Sequence, residues 1–448
     1  MRNSLINRAP GNQIDVILTH PQHQQTLRTM IELIADLRRC HLAADLYEFQ
    51  ERLFRLVLEV ERRRSEISRV VKRLKKPGGT VPRGAPDLGT GLDPSDLDSW
   101  LLEDEVFERI WRQLKSIGDA LAWRAFGYDR RVIVALSRND SPGLMQGKEG
   151  LAKEREFIQT AWRDKGQFVL HHDLTAALRV GDLSVFYDDG SVLLHEVKTN
   201  SNRRIKRQDQ LLIDTSMVLA DKATLLPSGF TPVRTQIPFV TNLRGLGEVL
   251  GLAHERTGIQ AGVVSPGRAV VAASQYTAAH HYREDTFGDR FSTELGRSRR
   301  KIGVRSPQRT LTMTSLDSVA RWPTRPPWAI YPVAPEVAAS LIADAMFFFV
   351  CMSPDVIINR LADAGVQAEW IQPLDGSADW SKPLLRVAAT TGNQLWFTSL
   401  TPDAIASLML EFIDLRAWGR QVALMLTGDV PTGTRPWPCF TDEYKAWA

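Results

Sequence analysis

The sequence predicts an α/β chain of α+β organisation, with a mixed sheet flanked by helices at its centre. Three observations predict it. From Gln22 to Lys76 there is no Gly or Pro, and apolar residues recur at helical spacing. From Gly150 onward, an amphipathic helix, a short strand, a hairpin and a second helix follow in order. After about Arg309 the chain returns to alternating short strands and helices, as in a separate α+β region.

In the first region, Leu42, Leu46, Phe49, Leu53, Leu56, Val60, Ile67, Val70 and Leu74 follow a heptad-like spacing interrupted only at Arg63. Leu27, Met30, Ile34 and Leu37 form an earlier seam out of phase with it, so two helices should break near Cys40–Ala44. Such a coiled-coil-like pair suits a hairpin packed on its own protein, a homodimer contact or a dock for a partner subunit. Glu61 to Arg64 and Arg69 to Lys76 read as the solvated end of the second helix, with phosphate contact as the alternative. Residues 77–96, rich in Pro, Gly and Asp, read as a linker. A helix is expected from Leu97 or Ser99 to Ala125, followed by a strand at Val132–Leu136. The run from Gly143 to Lys148 resembles a phosphate loop, but it is one residue short and Glu149 stands where Ser or Thr is needed, which excludes nucleotide binding there.

The chemistry concentrates in the hairpin. Asp182 opens one strand, and Glu196 and Lys198 close the next. Strand alternation points Glu196 and Lys198 to one face and His195 and Val197 to the other. A two-residue Asp189-Gly190 loop would turn Asp182 away from Glu196. A three-residue loop, Asp188-Asp189-Gly190, brings them level and asks Gly190 to take a left-handed conformation. Two carboxylates and an amine together suit Mg²⁺ or Mn²⁺ and hydrolysis of a phosphodiester.

These residues resemble the PD-(D/E)XK nuclease superfamily, the restriction-endonuclease-like fold, over roughly residues 148–270. Gly150–Gly166 followed by a strand at Gln167–Leu170 is similar to the family's opening helix and strand, and Glu154 stands where many members carry a metal-associated glutamate. Arg203–Asp214 resembles the helix after the lysine strand, with Gln210-Leu211 similar to the Gln-Leu-x-x-Tyr element of RecB-like members, although Asp214 replaces the tyrosine. Gly181 replaces the proline of the superfamily's name. The resemblance implies that Asp182, Glu196 and the Val197 carbonyl hold Mg²⁺ or Mn²⁺, that Lys198 positions the attacking water, and that Gln210 supports the lysine or a phosphate. It also implies a 5′-phosphate product. Arg203, Arg204, Lys206 and Arg207, directly after the catalytic strand, are placed to hold nucleic-acid phosphates. A further strand at Val233–Val240 and a helix at Leu243–Arg256 would continue the core.

The domain reading is therefore residues 1–76 helical, 77–96 linker, 97–275 nuclease domain with its helical lead-in, and 276–448 a C-terminal α+β domain for recognition or assembly. In the last, Leu384–Thr390 and Gln394–Leu400 form a hairpin, and Thr401-Pro402-Asp403 starts a helix running through Ile405 to Ala417. His280, His281, Asp285 and Asp289 match no metal-site spacing. Arg297, Arg299, Arg300, Lys301, Arg305 and Arg309 form a second basic cluster.

Composition adds limits. A chain of 448 residues with 43% hydrophobic and 24% charged content can bury large cores. No secretory or membrane-spanning run is apparent, and Ala345–Met352 is too short to cross a bilayer, so the expected location is the cytoplasm. The 3 cysteines, Cys40, Cys351 and Cys439, form neither a disulfide framework nor a zinc set. The expected function is a metal-dependent nuclease acting on DNA before RNA, an endonuclease effector of restriction or antiviral defence. A repair or recombination nuclease and a non-catalytic nucleic-acid-binding scaffold remain as alternatives.

Overall fold

The computed structural model describes residues 16–89, 92–137, 143–197, 204–219, 226, 230–256, 258–275, 284–304, 310–317, 325–374, 379, 381–428 and 435–440. The chain is mixed α+β, and no helix among the described residues is long and apolar enough to cross a membrane.

The N-terminal seams become α1 (Pro21–Arg39) and α2 (Ala43–Leu74). His20 accepts the Gln22 N–H ahead of Pro21 in the first turn, and the Cys40 N–H closes α1 on the Leu37 carbonyl. The break thus falls where the two apolar phases conflict. Phe49, Leu53, Val60, Ile67 and Val70 of the seam are buried, joined by Phe54, Val57 and Val71, while Leu42 is exposed. This wider stripe packs along α3 (Leu97–Ala125), whose buried residues run all round its second half. The described residues of the segment 77–96 have no helix or strand and are tied to the helices: Gly89 donates to Glu103, and Arg63 donates to the Asp87 carbonyl.

Two local expectations are corrected. Val132–Leu136 is part of a helix, α4 (Arg130–Leu136), although its β-branched residues favour a strand. Asp129 caps it by accepting the Arg131 N–H at 2.9 Å, and Ile133 and Leu136 fill the core on one side of it. Glu61, read as part of a solvated helix end, is fully buried.

α5 (Leu151–Lys165) then leads into an antiparallel sheet of β1 (Val169–His171), β2 (Leu183–Phe186) and β3 (Val192–His195). Ile158 of α5 packs on Val169, Leu183 and Val185. α6 (Arg204–Leu219) follows. Among the described residues the sheet that holds this hairpin is three-stranded and antiparallel, and β4 (Phe230–Thr235) pairs in parallel with β12 (Arg435–Phe440), far along the chain.

α7 (Leu243–Glu255) precedes a second antiparallel sheet made of β5 (Ile259–Ser265), β6 (Arg268–Ser274), β7 (Leu311–Thr314) and β8 (Met346–Met352), ordered β5-β6-β8-β7. The most apolar run of the sequence is thus the buried strand β8. α7 covers one face of this sheet, through Leu246 and Leu250, and α8 (Glu284–Lys301) the other, through Leu295. α9 (Pro335–Ile342) packs against α1, and α10 (Pro354–Asp363) leads into β9 (Gln367–Trp370). The expected hairpin is present as β10 (Leu385–Thr391) and β11 (Gln394–Leu400), with β9 on the other side of β10. The helix expected through Ala417 instead divides into α11 (Pro402–Leu410) and α12 (Leu415–Thr427). Phe412, at φ 55°, breaks it, and Asp414 caps the second helix through the Arg416 and Ala417 N–H groups.

Of the remaining sequence readings, His280, His281, Arg305 and Arg309, and the side chains of Asp285 and Cys439, lie outside the described residues. Arg299 of the second basic cluster donates to Thr312 Oγ1. Cys40 and Cys351 are buried free thiols.

Candidate active site

The hairpin has the three-residue loop. Tyr187 N–H donates to Ser191 O, Gly190 N–H donates to Tyr187 O, and Gly190 has φ 80°. Phe186 then faces Val192, Leu183 faces His195, and the next residues on the two chains are Asp182 and Glu196. The ladder stops there. Asp182 donates its own N–H to the His195 carbonyl at 3.0 Å, and its Oδ2 accepts the Val197 N–H at 2.8 Å. Glu196 and Val197 therefore sit just beyond β3 rather than within it.

Gly181 explains its own departure from proline. It has φ 77°, which a proline ring near −65° cannot reach, and a side chain there would meet Leu212 Cδ2 at 3.0 Å and the His195 carbonyl at 3.3 Å. The Gly181 carbonyl accepts from His172 Nδ1, and Ser184 Oγ lies 2.7 Å from His172 Nε2. Since a carbonyl only accepts, the imidazole carries its proton on Nδ1 and Ser184 donates to Nε2. Burial pushes the His172 pKa down to about 4, which keeps the ring neutral.

Asp182 and Glu196 line a cleft of about 160 Å³ together with His172, Asp173, Arg179 and Leu212. Behind it lies an ion cluster that the sequence reading did not assemble. Lys148 Nζ lies 2.8 Å from Glu154 Oε1, 2.9 Å from Asp173 Oδ2 and 2.9 Å from Asp182 Oδ1. Glu154 Oε2 is 2.9 Å from His171 Nε2. Burial works against charge on Lys148, Glu154 and Asp173 alike, but their mutual attraction wins. It holds Lys148 well above the usual lysine range through Asp173, Glu154 and Asp182, and it holds both carboxyls below theirs. Glu154, one turn before the buried Ile158 on α5, is itself fully buried.

Compared with known proteins, the chain matches no family model, no curated protein and no solved structure.

Two residues of the long helix α2 hold this cluster in place. Gln50 Nε2 donates to the Val169 carbonyl at 2.8 Å while its Oε1 accepts the His171 N–H at 2.9 Å, so one side chain pairs with the outer edge of β1. Glu61 accepts from Trp111 Nε1 at 2.9 Å and from the Met145 and Gln146 N–H groups at 2.7 and 2.9 Å, which fixes the loop that carries Lys148. From α3, Lys115 donates to the Asp173 carbonyl; burial lowers its pKa to about 8 against the pull of Glu61 and Asp173. Asp119 of α3 accepts the Ala176 and Ala177 N–H groups through Oδ1.

The structure thus brings Glu154, Asp182 and Glu196 to one region and adds Lys148, His171 and Asp173. Gln210 is exposed and donates to Asp214 Oδ1 at 2.7 Å, while its neighbours Leu211 and Leu212 line the cleft. Asp214, which stands where the RecB-like pattern has tyrosine, is thereby a partner of Gln210. Lys198 and Arg203, and the side chains of Arg204, Lys206 and Arg207, lie outside the described residues. Asp182 and Glu196 line one cleft, with the Glu154 and Asp173 carboxylates close by on Lys148, an oxygen-rich set of the type that a hard divalent cation takes.

Proposed function

We propose that this chain is a metal-dependent nuclease built on a restriction-endonuclease-like hairpin and acting on DNA in preference to RNA. The observation that carries the reading is the register. A three-residue loop makes Asp182 and Glu196 the next residues past the last strand pair, and both line one cleft. A bound Mg²⁺ or Mn²⁺ would supply Lewis acidity and lower the pKa of a water. Asp182 and Glu196 would hold the ion, with the Val197 carbonyl beside them. Lys198 would orient the water and offset charge on the phosphate, as the family resemblance implies. Arg203, Arg204, Lys206 and Arg207 would receive the flanking phosphates. Restriction or antiviral defence is the biological setting that fits such a core between two further regions.

The deciding experiment incubates purified protein with plasmid, linear duplex, single-stranded DNA and RNA, each with Mg²⁺, Mn²⁺ or EDTA. Cleavage of DNA that EDTA abolishes supports the reading, and binding without cleavage under every metal overturns it. A second reading has its own observation: the Lys148 cluster satisfies three carboxylates without a metal, as a purely structural copy of the fold would. That reading keeps nucleic-acid or scaffold binding and drops the hydrolysis, so the same assay separates the two.

A further inference from the structure

β11 lies at the edge of its sheet, with β10 on one side and no strand on the other among the described residues. Thr391 faces Gln394 across a two-residue loop in which Gly392 has φ 59°, so the backbone groups of Gln394, Trp396, Thr398 and Leu400 bond to β10. Those of Leu395, Phe397 and Ser399 turn outward, where a strand of opposite direction can pair with all of them. Native edge strands are commonly blunted by charge, proline or a bulge, which prevent such pairing. β11, Gln-Leu-Trp-Phe-Thr-Ser-Leu, has no charged residue, no proline and an unbroken register with β10.

The side chains point the same way. Leu395, Trp396 and Phe397 are 59%, 44% and 73% exposed. On one face of the sheet Leu385, Val387, Ala389 and Leu400 are buried towards α12. Leu395 and Phe397 stand uncovered on the other, beside Arg386 and Glu369, which pair with each other at 2.6 Å. That face therefore offers no surplus positive charge to a nucleic acid or an anionic membrane. A neutral strand edge suits its own copy. About a twofold axis a strand meets its own sequence reversed, so a charge at the axis would face a like charge, and β11 has none. Centred on Phe397, the pairing sets Phe397 against Phe397 and Trp396 against Thr398 of the second copy, and aromatic–aromatic and aromatic–β-branched pairs are favourable across strands.

We propose that two copies of this chain associate through β11, in antiparallel pairing about a twofold axis at Phe397, so that two three-stranded sheets become one continuous sheet. The contact is separate from the cleft at Asp182 and does not depend on the nuclease reading. It also differs from an association through the N-terminal helices, since α1 packs within the chain against α9 and α2 against α3.

The test is sedimentation of the full chain over a micromolar concentration range. Wild type should approach twice the chain mass as concentration rises, and amide exchange over residues 394–400 should slow with it. Phe397→Lys and Phe397→Glu each set like charges against one another at the axis, so each should raise the dimer dissociation constant by on the order of tenfold or more. Mixed in equal amounts, the two variants should associate again, because lysine then faces glutamate. Both change a side chain that solvent already reaches, so circular dichroism should match wild type. A wild type that stays monomeric, variants that dimerise as wild type does, or a mixture that stays dissociated each overturns the pairing. Where a variant does not fold, the wild-type exchange decides, and exchange over 394–400 that is independent of concentration overturns it. A monomer that takes a different protein onto β11 overturns it as well. A chain that dimerises through β11 yet cuts no nucleic acid keeps this inference and loses the nuclease reading.

Discussion

Asp182 Oδ2 accepts the Val197 N–H at 2.8 Å, so a side chain takes over from the backbone ladder at the point where the two strands part. The same carboxylate has its other oxygen on Lys148. Asp182→Asn can keep the Val197 bond only by turning its amide N–H towards the ammonium, an unfavourable donor-to-donor contact. Metal-dependent cleavage should be lost in Asp182→Asn and in Asp182→Ala. The double variant with Glu196→Ala should be scarcely slower than either single one, because the two act as a unit. Plasmid cleavage rates measure this, and independent, additive losses would contradict it.

Gln50 supplies both a donor and an acceptor to the outer edge of β1. Gln50→Leu leaves the Val169 carbonyl and the His171 N–H buried without partners, at a cost of about 1–3 kcal/mol each. Thermal or denaturant unfolding should report the two losses together, about 2–6 kcal/mol.

Glu61→Ala removes the acceptor for Trp111 Nε1 and for two backbone N–H groups in a buried position. A destabilisation of roughly 3–5 kcal/mol is expected, as for breaking a buried charged network. Because the loop it holds carries Lys148, faster amide exchange at Met145 and Gln146 should accompany the loss. An exposed glutamate at a helix end would show neither effect.

Burial pushes the Asp119 carboxyl up to about 7, against the hydrogen bonds from Ala176 and Ala177 that favour its charged form. Its folded pKa therefore exceeds its unfolded value, near 3.9 for an ordinary Asp. The folded state holds the extra proton, and the stability that this contributes is full below about pH 4 and is lost as pH rises through about 7. Both backbone bonds reach Oδ1, so Asp119→Asn can keep them. This variant should gain stability relative to wild type as pH rises from about 4 to about 7, seen in urea unfolding at a series of pH values. A difference that does not vary with pH would contradict it.

Replacing Arg203, Arg204, Lys206 and Arg207 by Gln should weaken binding to all nucleic-acid sequences alike and flatten its salt dependence, since each lost phosphate contact releases fewer counterions. Filter binding across a salt series measures the slope. An unchanged slope returns these residues to a solvated helix face.

Much of the hairpin was legible, although its turn alone left two registers open: a two-residue Asp189-Gly190 loop or a three-residue one, and only the second sets Asp182 level with Glu196. The break between α1 and α2 was legible as a change of apolar phase. Lys148 was not, because an aperiodic loop carries no signal for partners lying 6, 25 and 34 positions away. Glu61 was hidden by its neighbours, since an acid beside three arginines reads as surface even when the helix turns it inward. The Val132–Leu136 run favours a strand by side-chain type, and only the Asp129 cap and its packing against the core make it a helix. The pairing of β4 with β12 joins residues 230–235 to 435–440, a separation at which no local pattern operates.

Gln50 reaches its strand partners across 119 and 121 positions of chain. During synthesis, α2 leaves the ribosome well before the strand that it will bind, at a translation pace of roughly 5–20 residues per second. The apolar stripe and Glu61 find α3 early, but Gln50 has no strand edge to meet until β1 follows several seconds later. The first helices of this chain thus wait as a partly filled mould. It also means that a polypeptide starting at residue 97 would lack the template on which its acidic centre is cast.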